Sequence, residues 1–236
     1  MTARAHLLFE QSGTFKRAFS AQSIPGEDYD IKNDFGETEN VCDLFKAIRS
    51  ASNEEPSVLD KIKPDDYVMA FFPCTWFETI QQTYYSLNHL NLRGMTLEQK
   101  VLSAIDRLRQ RTDAHELLYR LWLLGHKRKW KLVIENPATP PNYLISGQNF
   151  PPPSFVDPNR QLHGDMFSKP TAYWFAGLKP GNWRDIYVKP DKTATILTTK
   201  GGCTPRSMIA QKYADAFVRD IVLGKGIKTQ QTSLFD

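Results

Sequence analysis

Apolar residues gather in short runs that stop at turn-forming residues. The run Tyr67-Val68-Met69-Ala70-Phe71-Phe72 is followed at once by Pro73-Cys74-Thr75-Trp76-Phe77. It has the length and side chains of a buried strand, and Pro73 cannot continue a central ladder. Cys74 is therefore predicted just past a strand's C-terminal end, where ligands gather in open α/β sheets. Lys131-Leu132-Val133-Ile134 repeats the pattern and stops at Glu135-Asn136-Pro137, which predicts Glu135 at the same sheet edge. Thr112 to Arg120 reads as an amphipathic helix feeding that second strand.

Each residue also has a plainer reading. A free cysteine is commonly a small buried hydrophobe, and a carboxylate after a strand can cap a helix or meet a lysine in solvent. What distinguishes this pair is complementary chemistry, a nucleophile and an acid, at two strand ends.

With 236 residues, 41% of them hydrophobic, the chain can bury one full α/β core with a modest appendage. No apolar stretch reaches the roughly 18 residues of a membrane span, and the first residues lack a signal peptide's apolar core. A cytoplasmic protein is expected, without a membrane partner and as a monomer. Cys42, Cys74 and Cys203 have no metal-type spacing and fit a reducing compartment. A net charge of +4 and a pI near 8.9 are compatible with a polyanionic partner. The basic stretches Arg107 to Arg111 and His126 to Lys131 fit phosphate contacts or solvated helix ends.

Residues 140–202 are rich in proline, aromatic residues and lysine, including Pro151-Pro152-Pro153, and predict a loop-rich insertion. Short strands at Thr171 to Phe175 and Ala194 to Leu197 would form a small sheet there, with Tyr173, Trp174 and Trp183 as its core or as base contacts.

The order Phe-Pro-Cys, then Glu-Asn sixty-one positions after Cys74, resembles the DNA cytosine-C5 methyltransferase family. Leu7-Leu8-Phe9-Glu10-Gln11-Ser12-Gly13-Thr14-Phe15 resembles that family's strand-turn-helix loop for S-adenosyl-L-methionine, with Phe9, Gly13 and Phe15 in register. Gln11 and Thr14 stand where the family usually has glycine, a change that narrows or reshapes such a loop. Tyr29-Asp30-Ile31 is similar to the end of the family's second strand, where the acid meets ribose hydroxyls and the apolar side chain meets adenine. Cys42-Asp43-Leu44 is similar to the third cofactor segment, whose acid accepts from the adenine amino group. Either acid by itself also fits a solvated loop. Pro205-Arg206-Ser207-Met208-Ile209, with Tyr213, Ala214, Phe217, Val218 and Ile221, resembles the last block, which completes the cofactor pocket.

The resemblance spans nearly the whole chain and is to a compact, phage- or mobile-element-like member. It implies an α/β fold: a Rossmann-like S-adenosylmethionine-dependent methyltransferase sheet with a small loop-rich insertion. The catalytic domain would be residues 1–139 and 203–227, the insertion 140–202 a target-recognition region, and 228–236 a flexible tail. The implied cofactor contacts are Phe9, Gly13, Thr14, Asp30, Ile31, Asp43, Leu44, Pro73 and Ser207. The implied activity is methyl transfer to C5 of cytosine in DNA, with Cys74 as thiolate attacking C6 and Glu135 protonating or hydrogen-bonding N3. Asn136 would orient Glu135 or contact the base, or else cap the turn. A helix beginning after Cys74 or a nearby cation would favour the thiolate, and Trp76 or Phe77 would contact a flipped cytosine. The family's supporting arginine pair has no evident counterpart, and Arg160, Gln161, His163 and Lys169 are the candidates. A second reading keeps the fold without turnover, as a silent protein binding DNA or the sliding clamp.

Gln231-Thr232-Ser233-Leu234-Phe235 resembles the bacterial sliding-clamp-binding pentapeptide, with Gln231, Leu234 and Phe235 as the clamp-binding residues. The alternative is a terminal Leu-Phe pair packed on its own domain. Deletion of residues 231 to 236 tests the motif, since unchanged clamp pull-down would reject it.

Overall fold

The computed structural model describes residues 3–139, 142–147, 149–184 and 208–226. Strand β1 (Ala5–Leu8) is buried at all four positions, and alternate side chains enter two different cores: Leu8 one, Ala5 and Leu7 the other. A strand covered on both faces reads as a continuous apolar run. The same holds for β4 (Tyr67–Phe71) and the first part of β5 (Lys131–Pro137). Between β1 and β4 lie α1 (Thr14–Ser20), β2 (Gly26–Asp30), the short β3 (Asn40–Val41) and α2 (Leu44–Ser52). Between β4 and β5 come α3 (Gln81–Tyr85) and the 31-residue α4 (Leu97–Lys127), whose start is closed by a Thr96–Gln99 capping box. Strands β6 (Phe155–Asp157) and β7 (Thr171–Ala176) follow, then α5 (Gln211–Ala216), which runs on as a wider π-helical turn over Phe217–Val222.

The seven strands form one mixed sheet in the order β3-β2-β1-β4-β5-β7-β6. The first five are parallel, while β7 runs antiparallel to both β5 and β6. On one face Leu8, Val68, Ala70, Ile134 and Trp174 pack with Ile48 of α2 and Leu117, Leu118 and Leu121 of α4. On the other, Leu7, Met69, Val133 and Tyr173 pack with Phe15 and Phe19 of α1 and with Tyr213, Phe217 and Ile221. Each such side chain, fully buried, contributes about 1.5–3 kcal/mol before entropy is counted. The molecule is thus an α/β structure with helices on both sides of the sheet.

Three expectations are corrected. The segment Thr171–Ala176 is no part of a small sheet within an insertion; it is an interior strand of the main sheet, and all six of its residues are buried. With Trp174 in one core and Tyr173 and Phe175 in the other, it needs cover on both faces, which the helix layers on the two sides of the main sheet supply. Tyr173 and Trp174 are core residues, and part of 140–202 belongs to the sheet. Ala194 to Leu197 lie outside the described residues.

The helix expected over 112–120 is the middle of the much longer α4, which is buried only from Ala114 onward. Its basic stretch is no helix end. Arg107 lies over the Tyr84 ring and Arg111 over Tyr85, so these cations hold the segment after β4 against α4, and Arg111 also lies over Tyr143 of the segment after β5.

The third correction concerns Cys74, which opens a three-residue 3-10 turn, Cys74–Trp76. So short a turn aligns too few peptide dipoles to act as a helix N-terminus. No helix of the described residues is long and apolar enough to cross a membrane.

Candidate functional site

Chain order reverses between β1 and β4, since β2 and β3 lie on one side of β1 and β4 and β5 on the other. That reversal leaves a crevice at the strands' C-terminal ends. It holds a cavity of about 270 Å³ lined by Phe9, Glu10, Gln11, Ser12, Thr14 and Phe15 after β1, and by Phe71, Phe72 and Cys74 after β4. Glu135 and Pro137 of β5, Arg160, and Lys169 just before β7 complete its polar side; Phe35, Met208 and Ile209 also reach it.

The loop after β1 depends on two left-handed residues, Phe9 and Gly13. A Cβ on Gly13 would lie 2.8 Å from Arg17 Nη1 and 2.9 Å from Glu37 Oε2, the ends of two flexible side chains that can move aside, so it is the left-handed φ that favours glycine here. The loop's amides are occupied from within. Glu10, buried, accepts hydrogen bonds from the backbone N–H groups of Ser12 and Thr14, both at 3.1 Å, and from the Ser12 hydroxyl. Gln11 accepts from the Asp34 amide, tying this loop to the one after β2. A glycine-rich turn that offers free amides attracts phosphate; this one presents a carboxylate instead.

Cys74 and Glu135 stand on adjacent strand ends, Phe71 being the cross-strand partner of Glu135. The Cys74 thiol donates to Glu78 Oε1 at 2.9 Å. Burial pushes the thiol's pKa up, the Glu78 carboxylate adds to this, and Lys169 opposes it. Burial likewise raises the Glu135 carboxyl, against Lys169 and Arg160. Relative to an exposed carboxylate the shift is toward the protonated form, and a protonated Glu135 can donate to a base nitrogen. Asn136 is fully buried and donates to the Phe72 carbonyl at 2.9 Å, joining the ends of β4 and β5.

Arg160 enters this group from the turn after β6. Its guanidinium pairs with Asp165 at 2.7 Å, the two side chains being 1% and 0% exposed. Among the described residues, Nη1 and Nη2 have no hydrogen-bond partner. Of the other candidates for the supporting cation, Lys169 lines the cavity, whereas His163 pairs with Asp157 and stacks on Trp183, and Gln161 donates to the Met166 carbonyl.

The remaining expected residues are distributed as follows. Phe9 and Thr14 line the cavity; Gly13 and Pro73 shape its walls from outside the lining. Asp30 ends β2, accepts from the Lys32 amide at 2.8 Å and has a carboxyl raised by burial. Ile31 beside it is 65% exposed. Asp43 caps α2 by accepting from the Lys46 amide, and Leu44 is buried in the core. Ser207, Gln231, Leu234 and Phe235 lie outside the described residues. Phe77, expected as a base contact, is fully buried with its ring edge-on to His115; its packing removes it from that role. Trp76 donates to Gln110 of α4.

Glu10 and Glu78 escaped the reading by strand ends. The signal for Glu78 was its four-residue spacing from Cys74, which places both on one side of a single turn. Among the described residues no group of three or more His, Cys, Asp or Glu could hold a metal ion. No family model matches the chain, and no curated protein is similar to it at a significant level.

Proposed function

We propose that this chain transfers a methyl group from S-adenosyl-L-methionine to C5 of cytosine in DNA through a covalent adduct at Cys74. The observation that carries the reading is one cavity shared by the Cys74 thiol, Glu135 with its carboxyl pKa raised by burial, Arg160, whose Nη atoms have no hydrogen-bond partner among the described residues, and the loop after β1.

The residues at the loop fit this cofactor better than a phosphate-bearing one. Glu10 occupies the Ser12 and Thr14 amides, which a pyrophosphate would otherwise draw on, while Phe9, Phe15, Phe35 and Phe71 line the same cavity, and an aromatic lining suits a cation. Phe9 and the loop residues to Phe15 would hold the sulfonium end, with Asp30, Ile31 and Asp43 at the neighbouring strand ends for the adenosine. When bound, the cofactor supplies an electrophilic methyl group.

Cytosine C5 is a weak nucleophile, so the ring must first be activated covalently. In the proposed chemistry Cys74 adds to C6, Glu135 gives its proton to N3, and Arg160 donates to the ring carbonyl oxygen. Lys169 balances the charge of this anionic corner. A base stacked in duplex DNA cannot reach the cavity, so the cytosine would be flipped out of the helix.

The test is incubation with S-adenosyl-L-methionine and sequence-diverse duplex DNA containing 5-fluorocytosine. A denaturation-resistant protein–DNA adduct that is lost in Cys74→Ala is expected. No adduct, with DNA still bound, rejects the reading in favour of a silent DNA-binding protein.

A further inference from the structure

We propose that Glu78 is a second catalytic carboxylate of this site, the acceptor of the Cys74 proton as the sulfur attacks. The inference rests on the methyl-transfer reading and adds a residue to it.

The geometry is direct. Cys74 Sγ lies 2.9 Å from Glu78 Oε1, with the thiol as donor, which is the reach required of a general base. The contact is built into one turn: the Glu78 amide donates to the Cys74 carbonyl at 3.2 Å, so acid and thiol project from the same side. That turn is pinned from α4. Arg107 Nη1 donates to Gln81 Oε1 at 3.1 Å, and the buried Gln81 donates through Nε2 to the Thr75 carbonyl.

Glu78 answers a difficulty that the site poses. The charged groups facing Cys74 are Glu78 on its own turn, Glu135 from β5 and Lys169 from the approach to β7. Burial and the Glu78 carboxylate hold the sulfur as a thiol at neutral pH, and the short turn that Cys74 opens supplies no helix dipole. A resting thiolate is therefore disfavoured, and the proton must leave as the bond forms. In the step proposed, the S–H proton passes to Glu78 while the sulfur pair forms the S–C6 bond. The C5=C6 π pair moves into C4=C5, the C4=N3 pair moves onto N3, and N3 takes the Glu135 proton. After C5 has taken the methyl group, N3 gives its proton back to Glu135, the C5 proton leaves to solvent water, the C5–H pair restores C5=C6 as the C6–S bond breaks, and Glu78 returns its proton to sulfur. Glu135 and Glu78 thus act on opposite ends of the same electron shift, one as acid and one as base.

The test compares the full-length protein with Glu78→Gln and Glu78→Asp in two reactions. One is adduct formation with 5-fluorocytosine DNA; the other is alkylation of Cys74 by iodoacetamide, followed on the Cys74 peptide across pH. In Glu78→Gln the adduct should form at least about 100-fold more slowly at neutral pH, and the loss should shrink at alkaline pH. Alkylation should move the other way, its profile shifting to lower pH because a neighbouring negative charge is gone. Glu78→Asp should recover part of the adduct rate. If Glu78→Gln forms adduct as fast as the parent, or if both reactions slow together, Glu78 is only a neighbour or a structural support and the inference fails. If the unsubstituted protein forms no adduct at all, it is the methyl-transfer reading that fails, and the role of Glu78 in it falls with it.

Discussion

Replacing Arg160 with methionine isolates the energetic weight of a fully buried cation beside Glu135. In the parent protein the Arg160 and Asp165 side chains are 1% and 0% exposed and 2.7 Å apart. Methionine keeps the stem's apolar contacts but leaves the buried Asp165 carboxylate uncompensated. Breaking such a pair from one side costs about 3–5 kcal/mol, a large share of the roughly 5–15 kcal/mol that hold a domain together. For a chain of this size that corresponds to a melting point lower by about 6–20 °C. A companion variant separates charge from packing. Asp165 Oδ1 accepts from the amides of Met166 and Ala210, and an asparagine oxygen can do the same without a charge. Arg160→Met with Asp165→Asn should therefore return to within about 2 kcal/mol of the parent, because replacing a buried ion pair by neutral groups is close to neutral. Urea unfolding of the parent, both single variants and the double variant measures this coupling. If the double variant is as unstable as Arg160→Met, the loss comes from the stem's packing and its contact with the Tyr213 ring, and the electrostatic argument is wrong. The double variant should nonetheless remain unable to form the cytosine adduct, since the Nη donors are gone.

Three further outcomes follow from other parts of the fold. Asn136→Ala leaves the Phe72 carbonyl without its buried donor and should cost about 1–3 kcal/mol; Asn136→Asp, which sets an acceptor against that carbonyl, should cost more, and a urea midpoint equal to the parent's in the aspartate variant would contradict this. The Asp28 carboxyl is pushed up to about 7 by burial and the Glu10 charge, with Lys16 opposing. Its contribution to stability is therefore full below the ordinary carboxyl range and lost as pH rises through about 7. The parent should lose ground against Asp28→Asn over that interval, and parallel melting curves would refute the coupling. Gly125→Ala gains up to about 1 kcal/mol of helix propensity, but the new Cβ would lie 2.7 Å from Leu132 Cδ2 and 3.2 Å from its Cβ. Overpacking of about 1–3 kcal/mol should win, so a thermal melt showing a more stable variant would mean that α4 and β5 can move apart freely.

What the sequence determined by itself is local. Tyr67 to Phe71 and Lys131 to Ile134 are strands because an uninterrupted apolar run fits a sheet covered on both faces, and a proline stands close after each: Pro73 beyond the end of β4, and Pro137 as the last residue of β5, opposite Thr171. Those two facts alone were enough to predict Cys74 and Glu135 at one sheet edge, and the cavity at the β1–β4 reversal contains both. The tertiary structure decided the rest. Thr171–Ala176 reads the same in a small peripheral sheet as in an interior strand; its place between β5 and β6 follows from which faces were left to cover, a property of the assembled layers. Arg160 belongs to a residue type that is ordinarily solvated, and only the packing of the turn after β6 puts its guanidinium against Asp165 and toward Glu135. The bond from Asn136 to the Phe72 carbonyl spans 64 positions, and the occupation of the first loop by Glu10 depends on the exact course of the backbone from Phe9 to Thr14. Side-chain periodicity is written between neighbours in sequence and can be read there. Partners, burial and protonation are set by groups far apart in the chain, and they exist only once the sheet has brought them together.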